Sequence, residues 1–198
     1  MTRLEAALQN LCQTLARCQE EFALVGGLAV SARAEPRFTR DLDLAVVAND
    51  DSAAEGIVHR LLQAGYQVLA TVEQDSTHRL ATIRLLPPGE TSDGIVADLL
   101  FASSGIEPEL IRSAELIELL PGFVIPVATV AFLLALKVLS LTGERPQDLV
   151  DIRSLLAVAT DVDVGQAREA LRWIDQRGFG RGKQLIQEFE RLLLHDPE

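Results

Sequence analysis

Residues 24–47 read LVGGLAVSARAEPRFTRDLDLAVV, and the order of the parts decides how the chain is built. Phe22-Ala-Leu-Val25 is a short apolar run ended by Gly26-Gly27, the pattern of a buried strand. The following LAVSARAE is small and helix-compatible, and Pro36 stops it because proline disfavours helical geometry in the residue before it. Asp41 to Val47 alternates Asp, Leu, Asp, Leu before turning apolar, as a strand with one working face would. On such a strand the Asp41 and Asp43 carboxylates converge on one side while Leu42 and Leu44 face the core. Two carboxylates about 5 Å apart repel by roughly 3 kcal/mol at an effective dielectric of about 20. Hard divalent cations such as Mg²⁺, which prefer oxygen ligands, offset that repulsion.

A further carboxylate from a neighbouring strand completes such a metal site, and Asp98 is the candidate. It sits alone in GIVADLLFA, flanked by apolar residues, where an acid needs a partner. Asp93 is nearer a turn and reads as solvated. A strand leading through Gly-Gly into a helix presents free backbone N–H groups where phosphate is favoured. Without side chains, the two glycines let a phosphate approach closely. Gly26-Gly27 alone is an ordinary turn; the step of 14 residues from Gly27 to Asp41 is what sets a phosphate cradle beside the acid pair.

Outward from this stretch the chain divides into a mixed αβ half, residues 1–125, and a helical half, residues 126–198. Leu4, Leu8, Leu11, Leu15 and Cys18 recur at helical steps, giving an amphipathic helix over 3–20. Asn49-Asp50-Asp51-Ser52 offers turn and N-cap residues for a helix that runs to Gly65. Strands are expected at Tyr66–Val72, His78–Leu86 and Ile95–Phe101. The apolar run Phe123–Leu136 contains Pro126 and is shorter than the roughly 20 residues of a membrane span, so it reads as a strand end and a core helix. From Thr129 the pattern is helical, with breaks at Thr142-Gly143, near Thr160–Asp163 and at Gly178-Phe-Gly180.

At 198 residues with 48% hydrophobic content, the chain suits one domain, or one with a helical appendage. Its formal charge of −11 repels nucleic acid as a whole, so a phosphate partner needs a local basic patch or metal ions. Cys12 and Cys18, six apart in a helix, form neither a metal pair nor a disulfide framework. With no signal-like N-terminus, a cytoplasmic setting is expected and no membrane partner. His59, His78 and His195 show no ligand spacing and read as surface or packing residues, and Trp173 reads as core. RGFGRGKQ, residues 177–184, holds Arg177, Arg181 and Lys183 without an acid; it reads as a solvated interhelical loop in preference to an RNA-backbone patch.

The arrangement strand–Gly-Gly–helix–Asp-x-Asp with a later strand carboxylate resembles the nucleotidyltransferase superfamily that includes DNA polymerase beta. More narrowly, GGLAVSARAEPRFTRDLDLAV resembles the AbiEii toxin branch, with Gly26, Gly27, Ala29, Arg37, Thr39, Asp41 and Asp43 on its pattern. AFLLALKVLSLTGERPQDLVDIRSLL resembles that branch's helical segment, with Lys137, Arg145, Asp148 and Asp151. The resemblance covers residues 22–156. One departure is Gln147, where the branch often has a basic residue.

The resemblance implies an α+β fold: a mixed nucleotidyltransferase-type sheet flanked by helices, then a C-terminal helical bundle. It implies that Asp41, Asp43 and Asp98 hold Mg²⁺ (or Mn²⁺) and carry catalysis, and that Gly26, Gly27, Arg37, Thr39 and Lys137 bind nucleotide. Read from the residues alone, Arg37 and Thr39 equally suit a loop that neutralises the acids and caps a strand. Lys137 equally suits a lysine snorkelling from a core helix. Asp148 stands between a site residue and an acid at a helix N-terminus, and Asp151 reads as structural. The implied activity moves NMP from an NTP to an acceptor hydroxyl, either tRNA, as the toxin of a toxin–antitoxin pair with an antitoxin partner, or a small antibiotic-type molecule. A non-catalytic nucleotide-binding module is the rival from another class.

Overall fold

The structure, a computed structural model, describes residues 2–74, 78–91, 93–143 and 145–194. Its centre is the hairpin-like pair the opening stretch encodes: β1 (Phe22–Val25) and β2 (Asp41–Val46) run antiparallel, joined through α2 (Gly26–Arg33). Leu42 and Leu44 are fully buried as the alternation requires, each worth about 1.5–3 kcal/mol of burial. Ahead of them α1 (Arg3–Arg17) buries Leu8, Leu11 and Leu15, and its start is fixed by a capping box between Thr2 and Glu5. After β2, Asp50 caps α3 (Asp51–Gln63) by accepting from the Ala53 backbone N–H at 2.8 Å.

The remaining strands are β3 (Gln67–Glu73), β4 (Leu80–Leu86), β5 (Val96–Leu100), β6 (Glu115–Leu120) and β7 (Phe123–Val127), with the short helix α4 (Glu107–Arg112) before β6. Among the described residues they form one seven-stranded mixed sheet in the order β3-β4-β5-β2-β1-β7-β6. β2 lies parallel to β5, and β1 parallel to β7. The expected strands are present within a residue or two, while α4 and β6 were not expected. Glu107 organises the turn into α4: its buried Oε1 accepts from the Ser103 and Ser104 N–H groups and the Ser104 hydroxyl.

The helical half comprises α5 (Val130–Ser140), α6 (Pro146–Leu156), α7 (Asp161–Gln176) and α8 (Leu185–Leu194). The breaks fall where the sequence placed them. β7 straddles the expected division at 125/126, and one hydrophobic cluster runs through both halves, from Leu11 to Phe189. α5 and α6 pack against α2, which leaves a cleft between the helical half and the ends of β1, β2 and β5. No described helix is long and apolar enough to cross a membrane. His195 lies outside the described residues.

Candidate active site

A cavity of about 400 Å³ occupies this cleft. From the αβ half it is lined by Gly26, Gly27, Arg37, Thr39, Asp41, Asp43 and Asp98. Lys137 of α5 and Asp148 of α6 face it from the helical half. The structure thus brings every candidate residue to one place, and the register explains how. Asp43 pairs with Val25 on β1 and with Asp98 on β5, so the strand end, the first acid pair and the third acid are immediate neighbours. Gly26 opens α2 with φ +64°, a left-handed conformation suited to glycine, and a Cβ there would overlap the Asp43 carboxylate. Val25 at the N-cap position offers α2 no side-chain hydrogen bond, and the first turn, the helix's positive end, lies at the cavity.

The three acids sit in tension. Burial, then the charges of Asp98 and Asp41, push the Asp43 carboxyl up to about 7, with Lys137 and Arg84 offsetting part of the rise. An all-oxygen cluster whose ionised form is destabilised this way fits a hard divalent cation. Asp98 differs from the expectation in its partner: Arg84 of β4, opposite it in register, holds both its oxygens through Nε at 2.8 Å and Nη2 at 2.6 Å. This fork raises the Arg84 pKa. Among the described residues, no three His, Cys, Asp or Glu side chains are already gathered around one point for an ion. Asp41 and Asp43 are the carboxylates of the trio that could take a cation as they stand, while both oxygens of Asp98 are engaged by Arg84.

Opposite the acids stands a second network. Asp151 of α6, only 1% exposed, accepts from Arg37 Nε at 2.6 Å and Nη2 at 2.9 Å, from Lys137 Nζ at 2.7 Å and from Gln147 Nε2 at 3.1 Å. Lys137 also reaches Asp148 Oδ1 at 2.8 Å. Arg37 does not neutralise Asp41 and Asp43, as the loop reading had it; its guanidinium is committed to Asp151 and lies against Gly27. Lys137 does not snorkel to solvent either, because two carboxylates hold it at the cavity wall. Gln147, the departure from the family pattern, supports Asp151.

The 177–184 segment is the interhelical loop expected, largely exposed between α7 and α8, but it is anchored at three points: Arg177 forks onto Glu109, Lys183 donates to the Leu139 and Leu141 carbonyls at the end of α5, and Phe179 is buried against Gly105. Arg181, donating to Ser103, reaches the cavity. Trp173 is partly buried and stacks with Arg177. Arg84 is a charged cavity residue that sequence reading missed, and Arg181 was read there only as part of an interhelical loop. Alternation in LATIRLL puts Arg84 on the polar face of its strand, but nothing in one strand names its neighbour.

The family described as "Nucleotidyl transferase AbiEii toxin, Type IV TA system" matches residues 11–196, which extends the resemblance through the last helices. Among curated proteins no match was found. Among solved structures, an antigenic nucleotidyltransferase-like protein from Paracoccidioides brasiliensis is similar at TM-score 0.54 and 17% identity, over 94% of this chain and 92% of that one. ANT(2")-Ia in complex with adenylyl-2"-tobramycin is similar at TM-score 0.54 and 11% identity, over 89% of this chain and 99% of that one. At these identities the likeness is one of fold, and it agrees with the mixed sheet and flanking helices described above. With a family match over nearly its whole length, the chain belongs to the AbiEii family of nucleotidyltransferases.

Proposed function

We propose that this nucleotidyltransferase moves NMP from an NTP to the hydroxyl of an RNA acceptor, tRNA first among them, forming the bond from that oxygen to the α-phosphorus as pyrophosphate leaves, and depends on Mg²⁺ (or Mn²⁺). The observation that carries the reading is the register Val25–Asp43–Asp98, which joins the Gly26-Gly27 helix start to the acids in one cavity. In this reading the N–H groups at Gly26 and Gly27 hold the triphosphate, with Lys137 facing it from α5. Asp41 and Asp43 hold the cation, with Asp98 as the third carboxylate. When bound, that cation neutralises triphosphate charge and acidifies the acceptor hydroxyl. Asp98, released by Arg84, takes the hydroxyl proton, and the freed Arg84 turns to an acceptor phosphate. Arg37 and Thr39 shape the phosphate side of the cavity, Arg37 by its anchorage to Asp151.

An antitoxin protein is the partner implied by the family description, and the two free cysteines suit a reducing cytoplasm. Family membership speaks for an enzyme over a non-catalytic binding module. A small cationic acceptor is the second reading, favoured by the net charge of −11. The test is incubation with α-labelled NTPs, Mg²⁺ or Mn²⁺, total tRNA and a panel of aminoglycosides. Label in RNA is the expected result; label in the small molecule alone would replace the acceptor, and no transfer to any acceptor would count against the proposal.

A further inference from the structure

Asp148 has a feature the transfer reaction as described does not use. It lies in the first turn of α6, is 6% exposed, and gives its Oδ1 to Lys137. Its other oxygen, Oδ2, is buried without a hydrogen-bond partner among the described residues, on a side chain that lines the cavity. A buried carboxylate oxygen without a donor is an unfinished site.

The chemistry of that oxygen restricts what finishes it. A carboxylate oxygen only accepts, so the missing group donates an N–H or O–H. The ionised phosphates of an NTP offer only acceptors and are repelled. A metal ion would meet the Lys137 ammonium already bound to Asp148 and Asp151. The neighbouring lining, Leu133, Leu136 and Leu139 of α5, is apolar, suited to a ribose or base and opposite the glycines and acids that suit phosphate.

We infer that Asp148 Oδ2 accepts a hydrogen bond from an N–H or O–H donor on the nucleoside of the bound NTP, making Asp148 a specificity-determining residue of the nucleotide site. The inference rests on the proposed NTP reading. It divides the cavity between two tasks: the αβ half, helped by Lys137, takes the polyphosphate, and Asp148 with the apolar face of α5 reads the nucleoside. In Asp148→Asn the amide oxygen turns to Lys137, which needs an acceptor, and leaves an NH₂ where Oδ2 stood. Donor then faces donor.

The experiment is calorimetric titration of the full chain, with Mg²⁺, using the tightest-binding NTP and three analogues of it: 2′-deoxy, 3′-deoxy, and one whose base lacks its N–H donor. For the wild type, one analogue is expected to bind about tenfold or more weakly, and that arm identifies the donor. Asp148→Asn is expected to weaken the natural NTP by a similar factor and to erase the difference from that analogue. A wild type indifferent to all three deletions overturns the inference without any variant, while NTP binding itself keeps the proposed function standing. Discrimination that survives in Asp148→Asn overturns it as well. Binding of no NTP at all would remove both.

Discussion

Asp43 is where the sequence's alternation, the sheet's register and the cavity's chemistry meet. Its carboxyl is lifted from the ordinary carboxylate range to about 7, so the native state keeps this proton longer than the unfolded chain does. Stability from the group is fully present below the unfolded value and is lost as pH rises through about 7. Asp43→Asn is therefore expected to stabilise the metal-free protein at pH 8 by roughly 2 kcal/mol, allowing for its partial exposure to the cavity, and to have little effect at pH 4. Urea unfolding at both pH values checks this, and added Mg²⁺ should narrow the difference; equal destabilisation at both would contradict the electrostatic account. Gly26→Ala tests the other partner of Asp43. The φ of +64° and the overlap with the Asp43 carboxylate together should destabilise the fold by about 1–3 kcal/mol and weaken NTP binding, read by unfolding and titration. At this scale the acids were legible because alternation assigns faces. Arg84 was not, since its meeting with Asp98 depends on which strand lies beside β5.

At the scale of elements, the loop before β2 and helix α6 are tied by one acid. Burial alone would raise the Asp151 pKa, yet hydrogen bonds from Arg37, Lys137 and Gln147 hold it below the ordinary range. Its contribution is thus present at neutral pH and lost as pH falls through that lowered value. Asp151→Ala leaves the Arg37 and Lys137 charges facing each other in a half-buried wall and should cost roughly 3–5 kcal/mol. Arg37→Lys should lose the two-pronged grip on Asp151 and lower both stability and NTP affinity, whereas a direct phosphate contact by Arg37 would lower affinity alone. Unfolding and NTP titration on the same variants separate the two. Reading Asp151 as structural agrees with its placement, but its partner Arg37 lies 114 residues away, beyond any local pattern. The helices themselves were legible from periodicity. β6 was missed because an edge strand with outward Leu116 and inward Ile117 shows little alternation between adjacent apolar residues.

Across the whole molecule, the change from strand-bearing to all-helical elements after β7 was readable from periodicity and breaker residues, whereas the strand order was not. Nor was the role of the last forty residues: Phe179, Leu185 and Phe189 are buried in the common cluster, so α8 completes the core, and Arg181 of the 177–184 segment lines the cavity. Phe189→Ala is expected to cost about 3–5 kcal/mol in urea unfolding; a loss under ~1 kcal/mol would mean that the last helix is an appendage. The two halves share one hydrophobic cluster and meet at the cavity, and the Asp41–Asp43 pair lining it is the claim on which the rest stands. The measurement that reaches it most directly is transfer of label from an α-labelled NTP, in Mg²⁺, by wild type, Asp41→Asn and Asp43→Asn, each verified as folded by circular dichroism. Both variants should fall by about a hundredfold or more. A folded variant of either acid transferring at the wild-type rate would contradict the account.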